Sequence, residues 1–260
     1  MAFTSPPPVH AFWIGAELGL ISRTCLTSFV RVGHPVTLHG YQRPADLPTG
    51  IVFSDAARIV PPHRVTRHRA TGSYALFANI FRYRLLEQCD GIYVDCDVFC
   101  LKPLEIDDYL FGYEDETTLN TAILRLPKDS ALLRSLNEVS DDPAPIPPWM
   151  PPELRAELRQ KAEVGQPTLL EDLPWGVIGP RALTWLAREH GVDRHALPVD
   201  VLYPVHYGAV DRLLDPELTV ESLITPRTRC VHLFNEMLRR LDLSRIPKTS
   251  PLGRMITMTR

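Results

Sequence analysis

The sequence predicts an α/β fold with a mostly parallel central sheet and flanking helices. Three observations lead there. The opening alternates a Val- and Ile-rich run, an amphipathic run and a second run of strand type. A strongly apolar helical pattern then feeds directly into another strand, and a chain of 260 residues that is 45% hydrophobic can bury one substantial core.

Residues 9–15, VHAFWIG, read as a buried first strand. ELGLISRTCLTSFVRVG follows as an amphipathic helix that Gly33 closes with a left-handed cap, and PVTLHGY and GIVFSD supply the second and third strands. Residues 61–72 carry His63, Arg64, Arg67, His68 and Arg69 between Pro61-Pro62 and Gly72, a basic loop that either meets phosphate as a flap or is simply solvated. SYALFANIFRYRLLEQC is a helix with Ser73 as its N-cap; it buries Leu76, Phe77, Ile80, Phe81 and Leu85 and shows Asn79 and Arg82 from one face. YLFGYED and TLNTAILRLP read as later strands, with KDSALLRSLNEVS a helix behind them. The run DDPAPIPPWMPP is too rich in proline for a regular element, and a short charged helix follows it. Residues 141–170 therefore read as an inserted lid or subdomain within one domain spanning 1–260. GPRALTWLAREHG is the last strong helix of this reading.

Composition narrows the function. A formal net charge of −3 gives no global reason to expect nucleic acid as a partner. No window is apolar enough for a membrane span, and MAFTSPPPVHAFWIG lacks the basic start and apolar core of a signal peptide, so the reading is a soluble, cytoplasmic protein of open oligomeric state. Five cysteines without a paired CxxC unit read as reduced packing thiols.

The stretch GIYVDCDVFCLKPL, residues 91–104, concentrates the chemistry. Strand alternation would put Tyr93, Asp95 and Asp97 on one face, the two carboxylates about 6.5 Å apart along the chain. Two like charges inside an apolar sheet need a cation, a donor or water beside them. Oxygen ligands suit magnesium or manganese, and a divalent ion would stabilise a diphosphate leaving group.

Taken whole, FRYRLLEQCDGIYVDCDVFCLKPL resembles the central block of the DXD glycosyltransferases, the family 32-like type that includes α-1,6-mannosyltransferases, α-1,4-galactosyltransferases and capsular polysaccharide sugar transferases. VHAFWIG, LNTAILRLP, IGPRALT and HLFNEM resemble further segments of that family, so the likeness spans most of the chain outside the proline-rich stretch. It implies a GT-A fold and a retaining hexosyltransferase activity. It also implies Mn2+ or Mg2+ and a nucleotide diphosphate sugar as donor, UDP-sugar favoured, with a glycan, lipid, small-molecule or protein acceptor left open.

Carried over residue by residue, the resemblance makes Asp97 a direct metal ligand and Asp95 a ligand through water or a ribose contact. His232 and Asn235 complete the metal shell, with His206 a rival for that place. Arg82 meets donor sugar or phosphate, and Trp13 belongs to the strand that borders the nucleotide. Tyr93 either supports the nucleotide or packs in the core. Asn120 either faces the donor sugar or bonds the backbone. The family commonly has aspartate at the position of Asn79, where sugar hydroxyls are bound. Glu171 and Asp172 read either as acceptor-side carboxylates or as solvated charge. Two rival readings stand beside this one. A haloacid dehalogenase-like phosphatase would use Asp95 as nucleophile with Asp141, Asp142 and Lys128; a catalytically silent sugar-nucleotide binding module would bind the donor without consuming it.

Overall fold

The structure, a computed structural model, describes residues 6–105 and 107–260. Residues 1–5, part of the stretch read for a targeting signal, lie outside them.

The first strand, β1 (Val9–Phe12), is followed by helix α1 (Gly19–Arg31) and strands β2 (Val36–Gly40) and β3 (Ile51–Asp55). Helix α1 begins where both carboxylate oxygens of Asp46 accept the Leu18 and Gly19 N–H groups, at 2.7 and 2.9 Å. It ends at Gly33, whose φ of 95° lets its own N–H reach Val30 O and the His34 N–H reach Phe29 O. Those two bonds satisfy carbonyls that a helix end otherwise leaves open.

Helix α2 (Ala75–Gln88) is buried on nearly every side, with Phe77, Phe81, Tyr83 and Leu85 shielded completely. Phe81 stacks on Phe12 of β1 at a centroid distance of 4.0 Å, and each such buried ring contributes about 1.5–3 kcal/mol relative to exposure. This packing fixes the helix against the sheet. Asn79 and Arg82, expected on an outward face, are themselves buried at 7% and 3% exposure. Their stripe looks into the protein, because the helix is covered by β1 on one side and later elements on the other.

Strand β4 (Ile92–Val94) comes next, and there the expected long strand through both aspartates breaks. Residues 95–97 form a turn closed by the Val98 N–H on Asp95 O at 3.2 Å, and β5 (Val98–Cys100) leaves the main sheet. Strands β6 (Leu110–Tyr113) and β7 (Leu119–Arg125) return to it. Helices α3 (Ala131–Asp141), α4 (Pro152–Glu163), α5 (Pro180–Glu189) and α6 (Val199–Leu202) follow, then strand β8 (Cys230–His232) and helices α7 (Asn235–Leu238) and α8 (Pro251–Met258). Helix α8 lies beyond the last strong helix of the sequence reading. Its eight residues are too few for a clear period, although Ser250 caps it and Pro251 opens it.

The central sheet runs β3-β2-β1-β4-β7-β6. Strands β1 to β4 are mutually parallel, and β7 lies antiparallel to both β4 and β6. The fold is thus mixed α/β with a mostly parallel central sheet and flanking helices. Strand alternation divides the core: Phe12 and Tyr93 pack with α2, α3 and α5, while Val9, Ala11, Ile92 and Val94 pack with α1 and β5. Strand β5 pairs antiparallel with β8, opposing Val98 to His232. Residues 142–151 have no regular element, yet Met150 and Leu158 of α4 pack into the same core as α2. All five cysteines are free thiols, four of them buried. Among the described residues no helix is long and apolar enough to cross a membrane.

Candidate metal and donor site

The site lies where β4 ends, at the carboxyl edge of the parallel strands, the place where open α/β sheets hold their ligands. Because β4 stops at Val94, alternation does not aim the two aspartates; the turn does. Asp95 hangs its N–H on Ala122 O of β7 at 2.8 Å and accepts from Arg82 Nη2 at 2.9 Å and Tyr93 Oη at 3.1 Å, both on Oδ1. Arg82 is held in turn by Ala78 O and Thr121 O, with its guanidinium carbon 4.6 Å from the Tyr93 ring centroid. Burial raises the Asp95 carboxyl; Arg82 opposes that shift, and the neighbouring Asp97 adds to it.

Asp97 is oriented from the far end of the chain. His232 Nε2 lies 3.2 Å from its Oδ1, and the Asn235 N–H donates to its Oδ2 at 2.8 Å. Burial would raise this carboxyl as well, but His232 and the backbone donors more than offset it and hold it below the ordinary aspartate value. Burial lowers His232, whereas the charges of Asp97, Asp95 and Glu114 outweigh that and raise it. The approach of Asn235 depends on Phe234, the one non-glycine with positive φ among the described residues, at 47°. A bulky residue in this region is strained, and here the strain turns the chain directly after β8.

Asp95, Asp97 and His232 each offer a ligand atom within 4.8 Å of the others. Carboxylate oxygens with one imidazole are a donor set that a divalent ion such as manganese, zinc or iron can take. The donor set fits a cation in its geometry: His232 Nε2 faces Asp97 Oδ1 at 3.2 Å and is the nitrogen that an ion between them would take.

These groups open on a cleft of about 570 Å3. Of the residues singled out from sequence, Asn79, Arg82, Asp95, Asp97, Asn120 and His232 line it together. Three others stand apart. Trp13 donates to Glu17 O at 2.9 Å and packs toward the α1 core. Tyr93 is 1% exposed, behind Arg82 and Asp95, so its place is in the core and not along the cleft wall. Asn235 meets Asp97 through its backbone N–H. Asn120 lines the cleft and also bonds the backbone, its Oδ1 accepting the Ala122 N–H at 2.6 Å.

The basic segment is spent on structure. Arg69 pairs with Glu171 and Asp172, both at 3.1 Å, and Arg64 pairs with Asp141 at 3.2 Å. That removes Glu171 and Asp172 from the cleft lining. Only His68 of the segment reaches it, anchored to Thr71 Oγ1 and Leu173 O at 2.9 and 3.0 Å. His206 is exposed and caps the Gly208 N–H. Lys128 pairs with Asp90 at 3.2 Å, and Asp142 accepts the Ala144 N–H at 2.9 Å; with Asp141 they line no part of the cleft, which deprives the phosphatase reading of its later residues.

Sequence reasoning passed over Glu114, Trp175, Tyr207 and Phe234, which also line the cleft. Glu114 had a weak signal as an acid at the end of a strand. Trp175 had another, an aromatic in a proline- and glycine-flanked loop.

The fold and site define a mixed α/β protein with a rim group of two aspartates and a histidine that could bind a metal ion. No family model and no curated protein matches the sequence. Among solved structures, the PaToxG glycosyltransferase superposes on 71% of this chain and 70% of its own, at 13% identity and a TM-score of 0.44.

Proposed function

We propose that the protein is a metal-dependent glycosyltransferase that takes its sugar from a nucleotide diphosphate donor. The observation that carries this reading is the convergence of Asp95, Asp97 and His232 within 4.8 Å, inside a cleft at the carboxyl edge of the sheet. The DXD block of the sequence supports it. Manganese is the favoured ion, and when bound it would neutralise the charge that develops on a departing diphosphate. Asp97 and His232 hold the ion in this reading, with Asp95 beside them. Arg82, cast from sequence as a donor contact, is 3% exposed and engaged by protein partners; its task is to keep Asp95 ionised and in place. UDP-sugar is the favoured donor, transfer proceeds with retention, and the chain acts as one domain with residues 141–170 as a lid.

The test is a thermal-shift panel of UDP-, GDP-, dTDP- and CMP-sugars with and without manganese. A ligand at a hundred times its Kd adds about 2.7 kcal/mol to native stability. One diphosphate sugar should stabilise the protein in the presence of manganese, and Asp97→Ala should abolish both that shift and donor turnover. Equal shifts in the variant, or none in the native protein, would overturn the reading. Binding without turnover would reduce the protein to a silent module, and a phosphoaspartate trapped at Asp95 would restore the phosphatase.

A further inference from the structure

The cleft contains a carboxylate that the metal group does not use. Glu114 follows the last residue of β6, on the turn between β6 and β7. Its N–H donates to Thr118 O at 2.9 Å, and Asp115 Oδ1 accepts the Thr117 and Thr118 N–H groups at 2.7 and 2.8 Å. The turn is therefore rigid. One oxygen of Glu114 accepts from Asn120 Nδ2, and among the described residues no donor reaches the other.

The remaining acids of the cleft differ from it. Asp95 is paired with Arg82, Asp97 with His232, and Glu236 with Arg239 and Arg240. Glu114 alone of these four has no ion-pair partner among the described residues. Burial pushes its carboxyl up, against the pull of Asn120 and the charge of His232. A partly desolvated carboxylate with a free lone pair makes a strong hydrogen bond to any hydroxyl brought to it.

Asn79, by contrast, is occupied. Its Nδ2 donates to Ala75 O at 3.1 Å and its Oδ1 faces Thr121 Oγ1 at 3.4 Å. A Cβ on Gly179 would stand 2.9 Å from Nδ2, so the amide is also walled in from behind. Glu114 also shares the cleft with Asp95, Asp97 and His232, and its partner Asn120 immediately precedes Thr121 and Ala122, whose carbonyls bind Arg82 and Asp95. Two hydroxyl-bearing parts of a bound donor flank the diphosphate, the ribose and the transferred sugar, and only the second sets which sugar is accepted.

We infer that Glu114 binds a hydroxyl of the donor sugar and thereby sets which sugar the cleft accepts, in the place that the sequence assigned to Asn79. This rests on the glycosyltransferase reading. The test is titration calorimetry with manganese, comparing UDP with UDP-glucose, UDP-galactose and GDP-mannose on the native protein and on Glu114→Gln. The glutamine keeps an acceptor for Asn120 and removes the charge. Affinity for UDP should stay within about twofold, whereas affinity for the preferred sugar nucleotide should fall about ten- to a hundredfold, as for a lost hydrogen bond to a charged group. Equal losses for UDP and the sugar nucleotide would make Glu114 a ribose contact or a prop for Asn120, and no loss would remove it from recognition; each overturns the inference. Native protein that binds none of the four ligands would overturn the transferase reading itself, and this inference with it.

Discussion

The two walls of the cleft are built on different principles. On the sheet side Asn79, Arg82, Asp95, Asp97 and His232 are held by bonds from three distant parts of the chain. Elsewhere along the cleft Trp175 and Tyr207 are 46% and 44% exposed, large rings turned to solvent. Trp175 meets His68 edge-on at 5.4 Å, and Tyr207 leans on Phe234 at 6.2 Å. The polar wall spends its interactions on itself and so arrives pre-organised. The aromatic wall keeps nearly half of each side chain's surface free and gains contacts when something fills the cleft.

If the polar wall is a unit, breaking its central ion pair should produce the largest effect. Arg82→Leu leaves the Asp95 carboxylate in its site without a cation, a change that costs about 3–5 kcal/mol in buried pairs. Asp95 retains 28% of its side-chain surface, so the lower end of that range applies. Urea unfolding should register this as a lower midpoint with an unchanged slope. Adding Asp95→Asn to the variant should restore part of the loss, since the stranded charge goes with it. A double variant no more stable than Arg82→Leu would mean that guanidinium packing on Tyr93 matters more than charge.

The two walls also differed in what could be read beforehand. The β-α-β opening, the Gly33 cap and helix α2 were legible because each is a local pattern of apolar spacing or turn chemistry. Asp95 and Asp97 were visible as a pair, yet their geometry was not. It depends on β5 leaving the sheet to meet β8, and on Phe234 turning Asn235 toward Asp97, contacts that span more than a hundred residues. Tyr93 stands out by its position beside the aspartate pair and Trp13 by the likeness of VHAFWIG to the family's opening strand, but which way such a residue faces is set by what packs on it. Glu114 acquires meaning only once the β6–β7 turn brings it to Asn120. The aromatic wall lies in loops and single turns, where no period exists to be read.

The aromatic wall should respond in the opposite sense. Trp175→Ala removes an exposed ring, and folding stability should stay within about 0.5 kcal/mol of the native value. If a nucleobase or sugar ring stacks there, affinity for the preferred sugar nucleotide should weaken by about 1–3 kcal/mol, the usual worth of stacking on an aromatic side chain. Calorimetry beside a thermal melt separates the two quantities. A clear loss of stability with affinity intact would turn Trp175 into a structural residue and erase the contrast between the walls.

The smallest effect concerns how the exposed wall is tethered. His68, beneath Trp175, belongs to the basic segment, and that segment is tied to α2 and α3 through Asp141, which bonds both Arg64 and Arg84. Burial would raise the Asp141 carboxyl, but the two arginines outweigh it and hold it below the ordinary aspartate value. A depressed carboxyl contributes stability that is complete above its unfolded pKa, about 3.9, and is lost as pH falls through the lower folded value. With Asp141 39% exposed and both arginines part-exposed, the contribution should be under about 1 kcal/mol. Melts of Asp141→Asn should therefore lie slightly below those of the native protein at pH 6 and converge with them once pH falls below the lowered folded value. Raised salt should narrow the gap at pH 6 as the pairs are screened. A gap that persists in acid would mean that Asp141 acts through neutral hydrogen bonds, so that the segment beneath Trp175 is fixed as firmly as the polar wall.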